Sequence, residues 1–327
     1  MVPDRLAAAY APATVGNVIC GFDVFGLALE EPGDRVTVRR TSAPGIHLSR
    51  ITGDEGRLPT DPNRNSATVA IRKFLELTGA KPDKGDAEWG IAVEVDKGLP
   101  LSGGMGGSAA SAAAGAAAID ALLGTEAPPE ILLRSALAGE KVASGDEHLD
   151  NVAPALFGGL LLVRNSVVRP VVPLPVPAGL SVALLHPRLE LSTRAGRAAV
   201  GATVLLRDAV TQWGNTAAFV AGLHSEDWSL ITDALVDHIA EPRRRASIPA
   251  FDAVRGAAVE AGAVAFGISG AGPSTFALCR SLESARNVGE AMYSTFCERA
   301  KPSATLYLSP VAARGARPVT PLKEGSR

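Results

Sequence analysis

Pro100-Leu101-Ser102-Gly103-Gly104-Met105-Gly106-Gly107-Ser108-Ala109-Ala110-Ser111 is the most informative stretch of this chain. The run Trp89 to Val95 leads into it, and the Ala-rich run Ala109 to Leu123 follows, so the expected order is strand, glycine loop, helix. With no side chains in the way, backbone N–H groups can converge on a small anion, and the helix N-terminus adds its positive end. Phosphate is the natural guest. The spacing matches neither common phosphate loop. No Lys-Ser/Thr pair follows Gly107, and Ala109 stands where a dinucleotide fingerprint would have its last glycine. The same residues also suit a tight turn that packs a small-residue helix against a sheet. Both readings can hold, because the helix must come close for its amides to reach a phosphate.

Composition bounds the rest. At 327 residues the chain accommodates two domains, expected over 1–172 and 173–327. Hydrophobic residues make up 46 % and charged residues 20 %, which reads as a soluble globular protein. A formal net charge of −2, with no basic patch interleaved with aromatics, gives no reason to expect a nucleic-acid partner. The three cysteines, Cys20, Cys279 and Cys297, are scattered, which fits a reducing, cytoplasmic compartment and no metal spacing. Met1 to Tyr10 lacks the apolar core of a signal peptide, and Gly115 and Asp120 make the Ala-rich run too weakly apolar for a membrane span.

Outward from the loop, Leu6 to Tyr10 reads as a short strand, followed by a segment in which Asn17 and Asp23 stand among Gly and apolar neighbours. They could supply a turn and a helix cap, or present an amide and a carboxylate to a small polar substrate. Arg35 to Arg39 and His47 to Ile51 alternate as strands. Turn chemistry at Pro59 to Asn65 precedes a helix over Ser66 to Leu77, with Asn65 as its N-cap, and Thr78 to Glu88 is a polar connector. Glu140 lies in a helix over Pro129 to Val142, beside small neighbours. His148, Asp150 and Asn151 have spacing too weak for a metal site, and Gly158-Gly159 turns into a strand over Leu160 to Val163. Val167 to Pro177 is a Pro-rich crossover. A strand Leu180 to Leu185, a helix beginning at Ser192, and helices Leu205 to Leu223 and Asp227 to His238 follow. The run Arg243-Arg244-Arg245 suits a solvated surface or a site for carboxylate or polyphosphate, and Lys97 is a further cation near the loop. The remainder, from Val254 to Leu308, completes a β-α-β-β-α-β pattern around a second glycine loop, Ser269 to Thr275, and the tail Arg314 to Arg327 is polar and frayed.

These segments together resemble the GHMP small-molecule kinases, in their homoserine kinase form. The central loop resembles Pro-x-x-x-Gly-Leu-Gly-Ser-Ser-Ala, with Met105 for Leu and Gly107 for the first Ser. Ala13 to Leu29 resembles Ala-Thr-x-x-Asn-x-x-x-Gly-Phe-Asp-x-x-Gly-x-Ala-Leu. His148 to Gly159 resembles His-x-Asp-Asn-Val-Ala-Pro-Ala-x-x-Gly-Gly, Asp237 to Arg244 resembles Asp-x-x-x-Glu-Pro-x-Arg, and Ser269 to Pro273 resembles Ser-Gly-Ser-Gly-Pro with Ala271 in the middle. The resemblance implies an α+β, two-domain GHMP fold. Its N-terminal domain is ribosomal-S5-domain-2-like and its C-terminal domain is ferredoxin-like.

It also implies transfer of phosphate from ATP to the L-homoserine hydroxyl, with Mg²⁺. Asn65 and Pro100, Leu101, Ser102, Gly103, Gly104, Met105, Gly106, Gly107 and Ser108 would hold the nucleotide, and Ser108 and Glu140 the metal. Asn17, Asp23, His148, Arg197 and Arg244 would hold the substrate, with Thr193 and Asn151 close to the chemistry. Asn151 stands where many relatives carry a basic Asp, and a neutral amide cannot take a proton. A loose transition state needs little prior deprotonation, so catalysis would rest on positioning and electrostatics. A homodimer is compatible with the resemblance. Two alternatives stay open: a kinase for another small alcohol (sugar, mevalonate or shikimate), and a nucleotide-binding regulator that has lost turnover.

Overall fold

The computed structural model describes residues 6–80 and 89–321. Most of the expected connector (81–88), residues 1–5 and the last part of the tail (322–327) lie outside the described residues.

The N-terminal half contributes β1 (Leu6–Gly16), β2 (Phe25–Thr41), β3 (Gly45–Thr52), α1 (Ser66–Thr78), β4 (Gly90–Asp96), α2 (Gly107–Leu123), α3 (Pro129–Ser144), α4 (Leu149–Phe157), β5 (Leu160–Val163) and β6 (Val171–Leu174). The C-terminal half contributes β7 (Ser181–Pro187), α5 (Thr193–Val200), α6 (Leu206–Ser225), α7 (Trp228–Ala234), α8 (Glu241–Arg244), α9 (Phe251–Glu260), β8 (Ala265–Ile268), β9 (Thr275–Cys279), α10 (Leu282–Arg299), β10 (Ala304–Pro310) and β11 (Arg317–Val319).

The first sheet runs β11-β1-β2-β4-β3, with β5 on β2 and β6 on β5. The β3–β4 pair is parallel and its other pairs are antiparallel. α2 lies across β1 and β2 and is itself covered by α1 and α3. Being apolar on every side, it reads as a buried helix. Ala109, Ala110 and Ala112 to Ala114 are fully buried, and such small side chains let its neighbours close in. The second sheet has the order β10-β7-β9-β8 and is wholly antiparallel. With β7 to β10 counted in turn this is 4-1-3-2, the expected ferredoxin-like layer. Phe251, Phe266, Met292 and Phe296 fill the space between this sheet and α9 and α10, and truncating a buried ring such as Phe296 to Ala costs about 3–5 kcal/mol.

Four expected boundaries move. β1 continues past Tyr10 to Gly16, because its residues keep pairing with β2 across a bulge near Pro12. The Pro-rich crossover contains β6, which pairs with β5 across the 172/173 boundary. The helix expected to reach His238 ends at Ala234, since the Asp237 carboxylate instead accepts the N–H groups of Ile239, Ala240 and Glu241 and opens α8. The polar tail is not frayed at Arg317–Val319, which returns to β1 as β11. Among the described residues no helix is long and apolar enough to cross a membrane.

Candidate active site

The glycine loop sits where β4 has ended and α2 begins, and its base is anchored by a buried ion pair. Asp34 accepts the N–H groups of Gly98 and Leu99 at 3.1 and 3.2 Å, and the Ser111 hydroxyl at 2.6 Å. Lys97 pairs with the same carboxylate and donates to the Gly107 carbonyl at 2.9 Å. The Lys97 charge is thus tied to the loop's foundation. Gly104 and Gly106 both have left-handed backbones, with φ of +73° and +68°. A Cβ at Gly106 would lie 2.0 Å from Thr14 Oγ1, and one at Gly104 would lie 2.5 Å from the Ser269 carbonyl. Gly107 is different: a Cβ there meets only ordinary contacts, the nearest at 3.4 Å.

Facing the loop is a cavity of about 490 Å³. Every residue expected at the site lines it except Met105. Met105 is 1 % exposed, part of the main core, and its carbonyl accepts the Thr14 N–H. Asn65 is the N-cap of α1: its Oδ1 accepts from Ala67 N at 3.0 Å. Its amide nitrogen has no protein partner among the described residues.

At one end of the cavity Arg197, on α5, grips Asp23 through both guanidinium nitrogens, and this contact raises the Arg197 pKa. Arg244 is buried on α8 and donates to the Gly196 and Gly270 carbonyls, each at 2.9 Å. Both guanidinium groups lie over the ring of Phe22, at 5.7 and 5.2 Å, within cation–π range. Asn17, Val18 and Ile19 have φ of 71°, 41° and 62°. Left-handed backbone at two β-branched residues costs of order 1–2 kcal/mol each. The turn is held by Asn17, whose Oδ1 accepts from Asp23 N and whose Nδ2 donates to the Gly270 carbonyl. From α6, Gln212 and Thr216 donate to the Cys20 carbonyl.

Deeper in the cavity, Glu140 Oε1 accepts from His148 Nδ1 at 3.1 Å, which raises the His148 pKa against the opposing effect of burial. Glu140 Oε2 is buried and has no partner among the described residues. An orphaned carboxylate oxygen on the cavity wall is costly unless something positive meets it. A divalent cation fits, since Mg²⁺ is commonly held by one or two carboxylates plus substrate phosphates and water. Ser108, in the first turn of α2, lines the same cavity. Asp150 is also buried there, and its pKa is pushed up to about 6 by burial and then by the nearby Asp23 charge. Asn151 Oδ1 accepts from Thr14 Oγ1 at 2.8 Å, and its Nδ2 approaches Asp150 at 3.3 Å. Thr193 lines the cavity from the first turn of α5.

Phe22 and Asp34 are the components that the sequence does not announce; Lys97 stands out as a cation near the loop, but its pairing with Asp34 does not. Phe22 could have been suspected from its place beside Asp23. Asp34 finds its partners 63 and 77 residues downstream, with no local signal.

Profiles of known families match in two places: "GHMP kinases N terminal domain" over residues 65–159, and "GHMP kinases C terminal" over residues 219–298. The chain is 44 % identical over 315 residues to the homoserine kinase of Chlorobium phaeovibrioides, covering 94 % of this chain and 98 % of that one. It is 40 % identical over 311 residues to that of Xylella fastidiosa, covering 95 % and 93 %. The crystal structure of homoserine kinase from Cytophaga hutchinsonii superimposes with a TM-score of 0.91 at 43 % identity, covering 98 % of this chain and 99 % of that one. A glycine loop, an orphaned carboxylate and an acid–guanidinium clamp in one cavity agree with these matches, and the chain belongs to the homoserine kinase family of the GHMP kinases.

Proposed function

We propose that this protein transfers the γ-phosphoryl group of ATP to the hydroxyl of L-homoserine, giving O-phospho-L-homoserine and ADP in threonine biosynthesis. The observation that carries the reading is the Asp23–Arg197–Arg244 cluster, which opens on the same cavity as the glycine loop. An amino acid brings an ammonium and a carboxylate together, and such a zwitterion satisfies one acid and two guanidinium groups at once. A sugar, mevalonate or shikimate would leave at least one of those charges unmatched. The orphaned Glu140 oxygen speaks against a pure nucleotide-binding regulator, which has no need of a metal ligand.

In this reading Gly103 to Ser108 hold the triphosphate by backbone amides at the entrance of α2, with Asn65 on the nucleoside side. Ser108 and Glu140 hold Mg²⁺, which when bound neutralises phosphate charge. His148, fixed by Glu140, and Asn17 orient the substrate, while Asn151 and Thr193 lie near the transferred group. Asp150 adds a second acid beside Asp23 for the ammonium. No side chain is assigned as general base, because the loose transition state leaves the hydroxyl proton in place until late.

The chain divides into domains over 1–172 and 173–327, with β6 at the junction and β11 from the C-terminal half both added to the first sheet. Cytoplasmic location is supported by free cysteines at Cys20, Cys279 and Cys297. A homodimer is supported by the solvent face of α6, where Leu206 and Trp213 are 71 % and 62 % exposed, with Val210 between them and Ala217 beyond. A second copy packing helix against helix would cover this stripe, and light scattering of Trp213→Glu against the unsubstituted protein tests it.

ADP release measured with homoserine, serine, shikimate and mevalonate tests the function. Turnover with homoserine above the others is expected, turnover only with another alcohol would reassign the substrate, and turnover with none would favour the regulator.

A further inference from the structure

The glycine loop is also shaped from the other sheet, by residues with no assigned role in the reaction. Ser274 Oγ donates to the Gly103 carbonyl at 2.5 Å, and Ser269 Oγ donates to the Gly104 carbonyl at 2.6 Å. A peptide unit is planar and trans, so fixing its carbonyl fixes the N–H on its other side. The two clasps therefore set the N–H groups of Gly104 and Met105, in the middle of the phosphate cradle. The Ser269 clasp closes a loop-to-loop contact. The Ser274 clasp is itself held from behind.

His186, on β7, places Nδ1 3.0 Å from Ser274 Oγ. Since the Ser274 proton is committed to Gly103, the hydroxyl oxygen accepts from the Nδ1–H of His186. His186 is 6 % exposed and Ser274 is fully buried, so water cannot substitute for either partner. Burial also holds the imidazole pKa down at about 4, which keeps the ring neutral with a single proton, the one used on Ser274. The ring edge abuts the loop as well: a Cβ built on Gly103 would lie 3.0 Å from His186 Cε1.

We propose that His186 is a positioning residue for phosphoryl transfer, acting through Ser274 on the Gly103 carbonyl to orient the amides that receive the triphosphate. This rests on the kinase reading above and adds to it a relay from the second sheet into the phosphate loop. The relay predicts a defect on the nucleotide side alone, dependent on a donor at the Nδ1 position rather than on ring volume.

The test compares His186→Leu, His186→Asn, Ser274→Ala and the His186→Leu/Ser274→Ala pair. His186→Leu is expected to raise KM for ATP about five- to twentyfold, as loss of one buried hydrogen bond would, with KM for homoserine within about twofold. His186→Asn, whose amide nitrogen reaches the Nδ1 position, restores most of the loss. The double variant is no worse than Ser274→Ala alone. Equal defects in Asn and Leu variants, equal rises in both KM values, or additive losses would each overturn the relay. If His186→Leu does not fold, Ser274→Ala removes only one oxygen and gives the same nucleotide-side split. Calorimetric binding of the ATP–Mg²⁺ complex reads the relay without turnover, so a wrong alcohol acceptor and a wrong relay give different results.

Discussion

The Arg197 guanidinium spans both carboxylate oxygens of Asp23, at 2.9 and 3.0 Å. Each side chain is 40 % exposed, so the pair is screened and worth only about 0–1 kcal/mol. A zwitterionic substrate can therefore part the pair at little cost, giving each charge a new partner. Asp23→Asn and Arg197→Met are each expected to raise KM for homoserine roughly ten- to hundredfold, as loss of a charge-assisted hydrogen bond does. KM for ATP should hardly change. Steady-state kinetics with each substrate varied in turn checks this, and an unaltered homoserine KM would remove Asp23 from the substrate site.

Glu140 divides its two oxygens between His148 and the cavity. Glu140→Gln should lower kcat by at least about a hundredfold and raise the Mg²⁺ concentration needed for half-maximal rate. It should also let the His148 pKa fall toward 6.5, readable by NMR titration of the ring protons. The sign for stability follows from the raised pKa: the contribution of the pair is complete below the ordinary histidine value and is lost as pH rises through the folded-state value. The stability gap between parent and variant should therefore narrow as pH climbs above 6.5. A gap that widens would place the proton elsewhere.

Asp150 behaves oppositely to an ordinary surface carboxylate. With its pKa pushed up to about 6, it binds a proton more tightly folded than unfolded, so its contribution to stability declines as pH rises from 3.8 toward 6 and stays low above that. Asp150→Asn should raise the melting temperature at pH 8, by a stability gain on the order of 2 kcal/mol. It should raise KM for homoserine while kcat falls less than about tenfold. A collapse of kcat with homoserine binding intact would make Asp150 a general base.

Two adjacent glycines should respond differently. Gly106→Ala forces a side chain into the Thr14 hydroxyl at a left-handed backbone, and loss of ATP binding together with lower stability, roughly 2–4 kcal/mol, is expected. Gly107→Ser meets nothing closer than 3.4 Å and should fold normally. A KM for ATP equal to or below that of the parent is expected, since the added hydroxyl can only supplement the backbone donors. Thermal melts and ATP titrations of the two variants check both outcomes.

Local pattern made much of this fold legible. The strand over Gly90–Asp96, the small-residue helix α2 and the split β-α-β-β-α-β half follow from periodicity and glycine punctuation. The contacts that turn motifs into a site did not. Asp34 sits in the middle of a long strand, and nothing near it in sequence announces that its carboxylate receives Gly98, Leu99, Lys97 and Ser111. His186 lies inside an apolar strand and reads as a packed core residue until Ser274 is brought against it. Asp237 keeps the helical period of its neighbours, but its carboxylate competes for the next backbone amides. In each case the deciding partner is set by tertiary geometry or by side-chain capping, which hydrophobic period does not encode.

The pairing of Ala8 with Val319 sets the first described strand beside the last. A gene cut between the two halves would thus leave the larger sheet without an edge strand, and the fragments would need each other to complete it. The same adjacency invites a circular permutant: a short linker could join these neighbouring strands while new termini open in an exposed turn such as the one at Val167 and Val168. Such a rearranged chain should keep its kinase site, because the loop, the clamp and the relay would all retain their order around the cavity.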